Sequence, residues 1–174
     1  MAWHHTYGLP VIISHCTNNY GPGQHDEKLI PTVIRTALAS ESIPVYGDGQ
    51  NIRDWLHVED HCRGLLQILE RGRAGQTYNF GGDCELKNID LVRTICRHLD
   101  KLKPRTDNQP YEQQIKFVSD RPGHDRRYAM NSDTAANHLN WQPETDFQTG
   151  LRKTIHSLAA KHAKTNYRPL PTAN

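Results

Sequence analysis

The stretch DRPGHDRRYAMN, Asp120 to Asn131, gathers charge around a rigid turn. Asp120, Arg121, Asp125, Arg126 and Arg127 are charged, His124 can be, and Pro122-Gly123 bends the chain between them. The planar fork of arginine donates two parallel hydrogen bonds, so clustered arginines suit a diphosphate or a carboxylate. Two readings follow: a loop that holds an anion, or an internal Asp–Arg network that fixes a turn. Arg53 poses the same choice within NIRDWLHVED. It either pairs with a neighbour such as Asp54 or reaches a ligand phosphate. Asn18, Asn19 and Asn88 carry amides that both donate and accept. Such groups suit sugar hydroxyls or a base, and they equally serve caps and turns.

Other chemistry is missing from the sequence. The close glycine pairs Gly21/Gly23, Gly47/Gly49 and Gly81/Gly82 do not extend to G-x-G-x-x-G before a helix. There is no Walker A loop, and no Tyr is followed by Lys four residues later. No H-E-x-x-H or Cys/His spacing suggests zinc, so no metal site is expected. His4-His5 reads as a solvated helix end.

The elements that must position these groups alternate between strand and helix. Val11 to Ile13 reads as a buried strand running into the loop NNYGPG, which places Asn18, Asn19 and Tyr20 at its carboxyl end. Pro31 is tolerable only in the first turn of a helix, so the helix EKLIPTVIRTALAS should begin near Leu29, with Glu27 and Lys28 at its mouth. IPVYGDGQNIRDWLHVED reads as strand, Gly-Asp-Gly turn and strand. From Val58, the apolar residues Cys62, Leu65, Leu66 and Leu69 mark a helix that ends before Gly72. QTYNF and QIKFVS read as strands and NIDLVRTICRHLDKL as a helix. A short helix capped within Asn131 to Asp133 and a last amphipathic helix with Phe147, Leu151, Ile155 and Leu158 complete the chain. Alternation of this kind indicates an α/β fold.

Length and charge narrow the function. The 174 residues suit one domain, and the 36% hydrophobic content leaves a lean core. A net charge of +2 gives no case for nucleic acid or an anionic membrane. No apolar run approaches a membrane span, and MAWHHTYGLP has no signal-peptide core. The four cysteines lack C-x-x-C spacing, which reads as reduced thiols and a cytoplasmic location.

With these motifs stated, the chain resembles the carboxyl-terminal half of the dTDP-glucose 4,6-dehydratases, extended short-chain dehydrogenases/reductases. NNYGPGQHDEKLIP, IPVYGDGQNIRDWLHVEDH, TYNFGG and DRPGHDRRYAMN carry the resemblance, which runs to about Ser157. EKLIP and DRPGHDRRYA point to this group more narrowly than NNYGP and RDWLHVED do. The resemblance implies an NAD-dependent lyase that converts dTDP-glucose to dTDP-4-keto-6-deoxyglucose, a deoxysugar precursor. It implies that residues 1–162 form the substrate-binding half with residual Rossmann strands, and that 163–174 are a flexible tail. The Gly-rich NAD loop and the catalytic residues are expected in an amino-terminal half preceding this sequence, so the chain alone is expected to be inactive. That half is also the expected partner, and it carries the homodimer helices of the full-length family.

The resemblance also assigns residues. Asn18 would contact NAD, the expected cofactor, and Asn19 the sugar or phosphate. Lys28 and Leu29 would border the substrate, and Pro44, Val45 and Tyr46 would flank the thymine and deoxyribose. Arg53 would hold the diphosphate and Asn88 would add a polar contact. Asp120, Arg121, Pro122, Gly123 and His124 would line the pocket. A stand-alone nucleotide-sugar binding module and half of a related epimerase or decarboxylase are the alternatives.

Overall fold

The computed structural model describes residues 1–166, with side chains through His162. Its elements in order are α1 (Ala2–Tyr7), β1 (Ile13–Cys16), β2 (Asn18–Tyr20), α2 (Leu29–Leu38), β3 (Ile43–Tyr46), β4 (Ile52–His57) and α3 (Val58–Arg71). There follow β5 (Thr77–Phe80), β6 (Glu85–Lys87), α4 (Asn88–Leu102), β7 (Ile115–Val118), β8 (Arg127–Tyr128), α5 (Asp133–Leu139) and α6 (Phe147–Asn166). The alternation expected of an α/β fold is present. The remainder of the tail expected to be flexible, 167–174, lies outside the described residues.

β4 is the hub. It pairs in parallel with β2 and β8 and antiparallel with β6. β1 pairs in parallel with β5, and β3 in parallel with β7. Side chains alternate across a strand, so β4 serves both faces. Trp55 joins a core built from α2, α4 and α6, with Ile34, Val45, Leu91, Ile95 and Leu151. Leu56 joins a second core with Ile68, Tyr78, Phe80, Leu139 and Trp141. The lean composition is thus split between two cores that share a strand.

α2 begins at Leu29 after Lys28 in an extended conformation, which leaves Pro31 in the first turn. There its missing N–H leaves no hydrogen bond unmade. The first strand differs from expectation. It starts at Ile13, where the amide meets the carbonyl of Gln76, and runs to Cys16 opposite Phe80. Val11 instead donates to Leu9 in a tight turn, so the ladder with β5 sets the boundary, not the apolar run. α3 also differs. Its buried stripe is Asp60, Gly64 and Ile68, while Leu65, Leu66 and Leu69 face outward. Among the described residues no helix is long and apolar enough to cross a membrane.

Candidate functional site

An open cleft of about 440 Å3 lies where β2, β3 and β4 meet the start of α2, the start of α4 and the loop after β7. Each wall follows from local structure. The strand period puts Arg53 and Trp55 on the cleft face of β4, and Pro44 and Tyr46 on the cleft face of β3. Asn18 enters from β2, opposite Trp55 in register. Lys28 and Leu29 stand at the mouth of α2, and Asn88 is the first residue of α4. Arg121 and His124 come from the charged loop.

Arg53 is 7% exposed, and it settles the choice posed by its sequence neighbours. Asp54 is not its partner: that carboxylate accepts the amides of Gly82 and Cys84 on the other side of β4. Arg53 instead donates to the carbonyls of Ile52 at 2.7 Å and Asp125 at 2.8 Å. Burial lowers its pKa, Asp125 and Asp120 oppose that, and Arg121 adds to it. A guanidinium remains charged regardless. Arg121 is exposed, and neither its guanidinium nor the Lys28 ammonium has a hydrogen bond or ion pair among the described residues. The cleft therefore presents three cationic side chains, of which Arg53 is held in place, against the one carboxylate of Glu27, which lies 3.8 Å from His25.

The charged loop divides between the two readings. Asp120 accepts the amide of Arg121 at 2.9 Å and pairs with His124 Nδ1 at 2.7 Å. The hydrogen bond with His124 holds the Asp120 carboxyl below the usual carboxylate range. That pair orients the imidazole, whose side chain is 7% exposed, at the cleft edge. Arg126 leaves the cleft to bind Asp48, and Arg127 binds Glu85 across to β6. Tyr128 donates to the carbonyl of Cys16. The first half of the motif shapes the cleft; the second half clamps the sheet.

Several expected residues stand apart from the cleft. Val45 is 2% exposed and faces the core, because it alternates with Pro44 and Tyr46. Asn19 alternates with Asn18: its amide donates to Cys16 Sγ and the Thr17 carbonyl and meets His61 Nδ1 at 3.0 Å. Pro122 and Gly123 form the exposed tip of the loop, and Gly123 has φ +68°, a conformation that favours glycine. Glu27, Thr32 and Trp55 line the cleft without having been singled out as site residues. The signal was available in periodicity. Trp55 is two residues from Arg53 on a strand, and Thr32 is one turn from Lys28 on a helix. Asn88 Oδ1 and Trp55 Nε1 are buried at this wall without a hydrogen-bond partner among the described residues.

The arrangement suits a polar, anionic ligand with a flat apolar portion. Three cations face a wall made by Leu29, Pro44 and Tyr46, the last 50% exposed. Burial raises the thiols of Cys16, Cys84 (to about 11) and Cys96, so none of these is a nucleophile near neutrality.

A family profile described as GDP-mannose 4,6 dehydratase matches residues 1–154. The chain belongs to that family. A dTDP-glucose 4,6-dehydratase of Xanthomonas campestris pv. campestris is 53% identical over 154 residues, covering 88% of this chain and 44% of the relative. The crystal structure of dTDP-glucose 4,6-dehydratase from Bacillus anthracis, in complex with NAD, superposes with a TM-score of 0.79 at 42% identity, covering 95% of this chain and 48% of that one. DesIV of Streptomyces venezuelae, a dTDP-glucose 4,6-dehydratase with NAD bound, gives a TM-score of 0.81 at 40% identity, over 95% and 47% of the two chains. The fold is thus that of the extended dehydrogenases/reductases, and the chain spans less than half the length of the relatives it matches.

Proposed function

We propose that the chain is the nucleotide-sugar-binding part of an NAD-dependent dTDP-glucose 4,6-dehydratase, which forms dTDP-4-keto-6-deoxyglucose with loss of water. The observation that carries this reading is the cleft, where Arg53, Arg121 and Lys28 converge beside an apolar wall. A diphosphate needs fixed cations, and a thymine needs a flat apolar or aromatic surface. Arg53 and Arg121 clamp the diphosphate, with Lys28 at the mouth of α2. Pro44 and Tyr46 flank the thymine and deoxyribose, with Val45 fixing β3 from behind. Asn88 adds a polar contact, and Asp120 to His124 close the outer rim. Asn19 supports the sugar end through its hold on the β2 turn.

NAD, when bound, supplies the hydride acceptor and donor for the reaction. The residues here fit only its nicotinamide end: Asn18 reaches the cleft, and its side-chain amide makes no hydrogen bond among the described residues. The remaining contacts belong to the NAD-binding part of the enzyme, which is also the proposed partner. A cytoplasmic homodimer completes the reading for the full-length family.

Calorimetric titration of the folded chain with dTDP-glucose, dTDP and NAD tests the proposal. Saturable binding of dTDP and dTDP-glucose, with NAD bound weakly or not at all, is the expected result. A folded chain that binds neither nucleotide overturns it.

A further inference from the structure

α4 and α6 share the first core, through Leu91, Ile95 and Leu99 on one helix and Leu151, Ile155 and Leu158 on the other. Outside that seam they leave a groove of about 370 Å3, lined by His98, Lys101 and Leu102 of α4 and by Arg152, Ile155 and His156 of α6. Each trio has the spacing i, i+3, i+4, which puts its members on one face of its helix. The two stripes therefore meet across the groove. Ile155, 1% exposed, forms the floor, and Leu102 stands at the rim. His98 bridges the walls at one end, where Nε2 lies 3.5 Å from Gln148 Oε1 on α6.

Among the described residues no carboxylate lines this groove. Its basic groups are also uncommitted: the Lys101 ammonium, the Arg152 guanidinium and the His156 imidazole have no hydrogen bond or ion pair among the described residues. Other arginines on the surface meet carboxylates, as Arg97 meets Glu112 at 3.8 Å, Arg35 meets Glu41 at 3.8 Å and Arg126 meets Asp48 at 3.0 Å. The acids close in sequence are engaged elsewhere. Asp100 accepts the amide of Tyr111 at 2.9 Å, and Asp146 that of Thr149 at 2.9 Å. The Thr149 hydrogen bonds hold the Asp146 carboxyl below its ordinary range, with Arg152 contributing least. A cation in the last turn of a helix is favoured by the helix dipole, which accounts for Lys101. Arg152 and His156 stand in the interior of α6, where the dipole gives them no such reason.

We propose that this groove is a second anion site, for a small molecule bearing adjacent phosphates. The Arg152 fork can donate two parallel bonds to one phosphate, the Lys101 ammonium places a point charge on the next, and the two imidazoles add further donors. Ile155 and Leu102 offer an apolar strip for an attached organic group. The volume lies in the range of small-molecule sites. With a net charge of only +2, that favours a small phosphate anion over a nucleic acid. The groove is separate from the nucleotide-sugar cleft. Asn88 opens α4 at the cleft, and His98 lies about 15 Å further along the axis, at about 1.5 Å per residue. No residue lines both, so this inference does not depend on the function proposed above.

The test titrates the full chain with inorganic triphosphate by calorimetry, in about 0.15 M salt to screen distant charges. An Arg53→Ala background suppresses competing binding in the cleft, and any that persists there is insensitive to changes in the groove. The expected result is saturable binding that Lys101→Glu with Arg152→Glu weakens about tenfold or more, the scale of a lost charged hydrogen bond. Arg71→Glu with Lys116→Glu changes net charge equally at exposed positions outside the groove, and should leave affinity within about twofold. Circular dichroism identifies any variant that has lost the fold. Should the glutamate pair unfold the chain, Lys101→Gln with Arg152→Gln carries the same expectation. ATP in place of triphosphate separates the sources: tighter binding supports a nucleotide whose base lies on Ile155 and Leu102, and equal affinity supports a free polyphosphate. A folded chain that binds neither overturns the proposal, as does binding indifferent to the Lys101 and Arg152 pair. A loss matched by the Arg71 and Lys116 pair also overturns it, since the response would then be to net charge alone.

Discussion

Arg53 commits two of its five N–H donors to backbone carbonyls, which fixes the plane of its fork at the cleft wall. On the function proposed above, the remaining donors are the anchor for phosphate. Arg53→Ala is therefore expected to weaken dTDP-glucose binding by about 1.5–3 kcal/mol, the scale of a lost charged hydrogen bond. Arg53→Lys should recover only part, because a point charge replaces the fork. Calorimetry on variants with matched melting temperatures checks both, and equal affinities would assign Arg53 to the fold alone. Asp60 makes a contrasting case, since its carboxylate is structural. Burial raises its pKa, but the Thr145 amide and hydroxyl and the Arg63 guanidinium outweigh burial and hold it below its ordinary value. A carboxylate depressed on folding contributes stability that is present above its unfolded pKa near 3.9 and lost as pH falls through the folded one. Asp60→Asn should thus be less stable than wild type at pH 6, and the gap should close below about pH 4. Urea midpoints between pH 3 and 6 report it; a gap that persists in acid would show that Asp60 acts through packing, not charge.

At the scale of elements, the long helices were legible and the short strands were not. α2 follows from Pro31 and the apolar spacing of Ile30, Val33, Ile34 and Ala37; α4 follows in the same way from Leu91, Val92, Ile95 and Leu99. β2, β6 and β8 have two or three residues each, too few for an alternating pattern. That also limited the site. Reading β4 as a strand placed Arg53, but only its register with β2 and β8 brings Asn18 and the charged loop to the same cleft. The alternation that removes Val45 and Asn19 from the cleft was readable, and the tertiary bonds that draw Arg126 and Arg127 away were not. The α3 stripe misled for a physical reason. The sheet-facing side needs a small residue, because a Cβ on Gly64 would lie 2.5 Å from the Phe80 ring, so the larger apolar residues stand on the opposite side. Gly64→Ala should then destabilise by about 1–3 kcal/mol through overpacking, despite alanine's better helix propensity. Thermal melts decide it, and Gly64→Ala combined with Phe80→Leu should recover part of the loss. A stabilised Gly64→Ala would mean that the Phe80 ring moves aside freely.

For the whole molecule, the proposed function separates binding from chemistry. Hydride transfer needs a nicotinamide held beside the sugar, and proton transfer needs a positioned acid or base. The sequence has no G-x-G-x-x-G before a helix and no Y-x-x-x-K. The titratable groups at the cleft do not replace them: His124 is tied to Asp120, Lys28 stands at the entrance, and Glu27 is exposed beside His25. The purified chain, supplied with NAD, is therefore expected to bind dTDP-glucose without converting it. Chromatographic loss of dTDP-glucose together with appearance of the 4-keto product measures this, with Arg53→Ala as the control for contaminating enzyme. Turnover equal in the two preparations belongs to a contaminant. Turnover in the wild-type chain that Arg53→Ala abolishes would instead place an acid/base and a nicotinamide site within these residues.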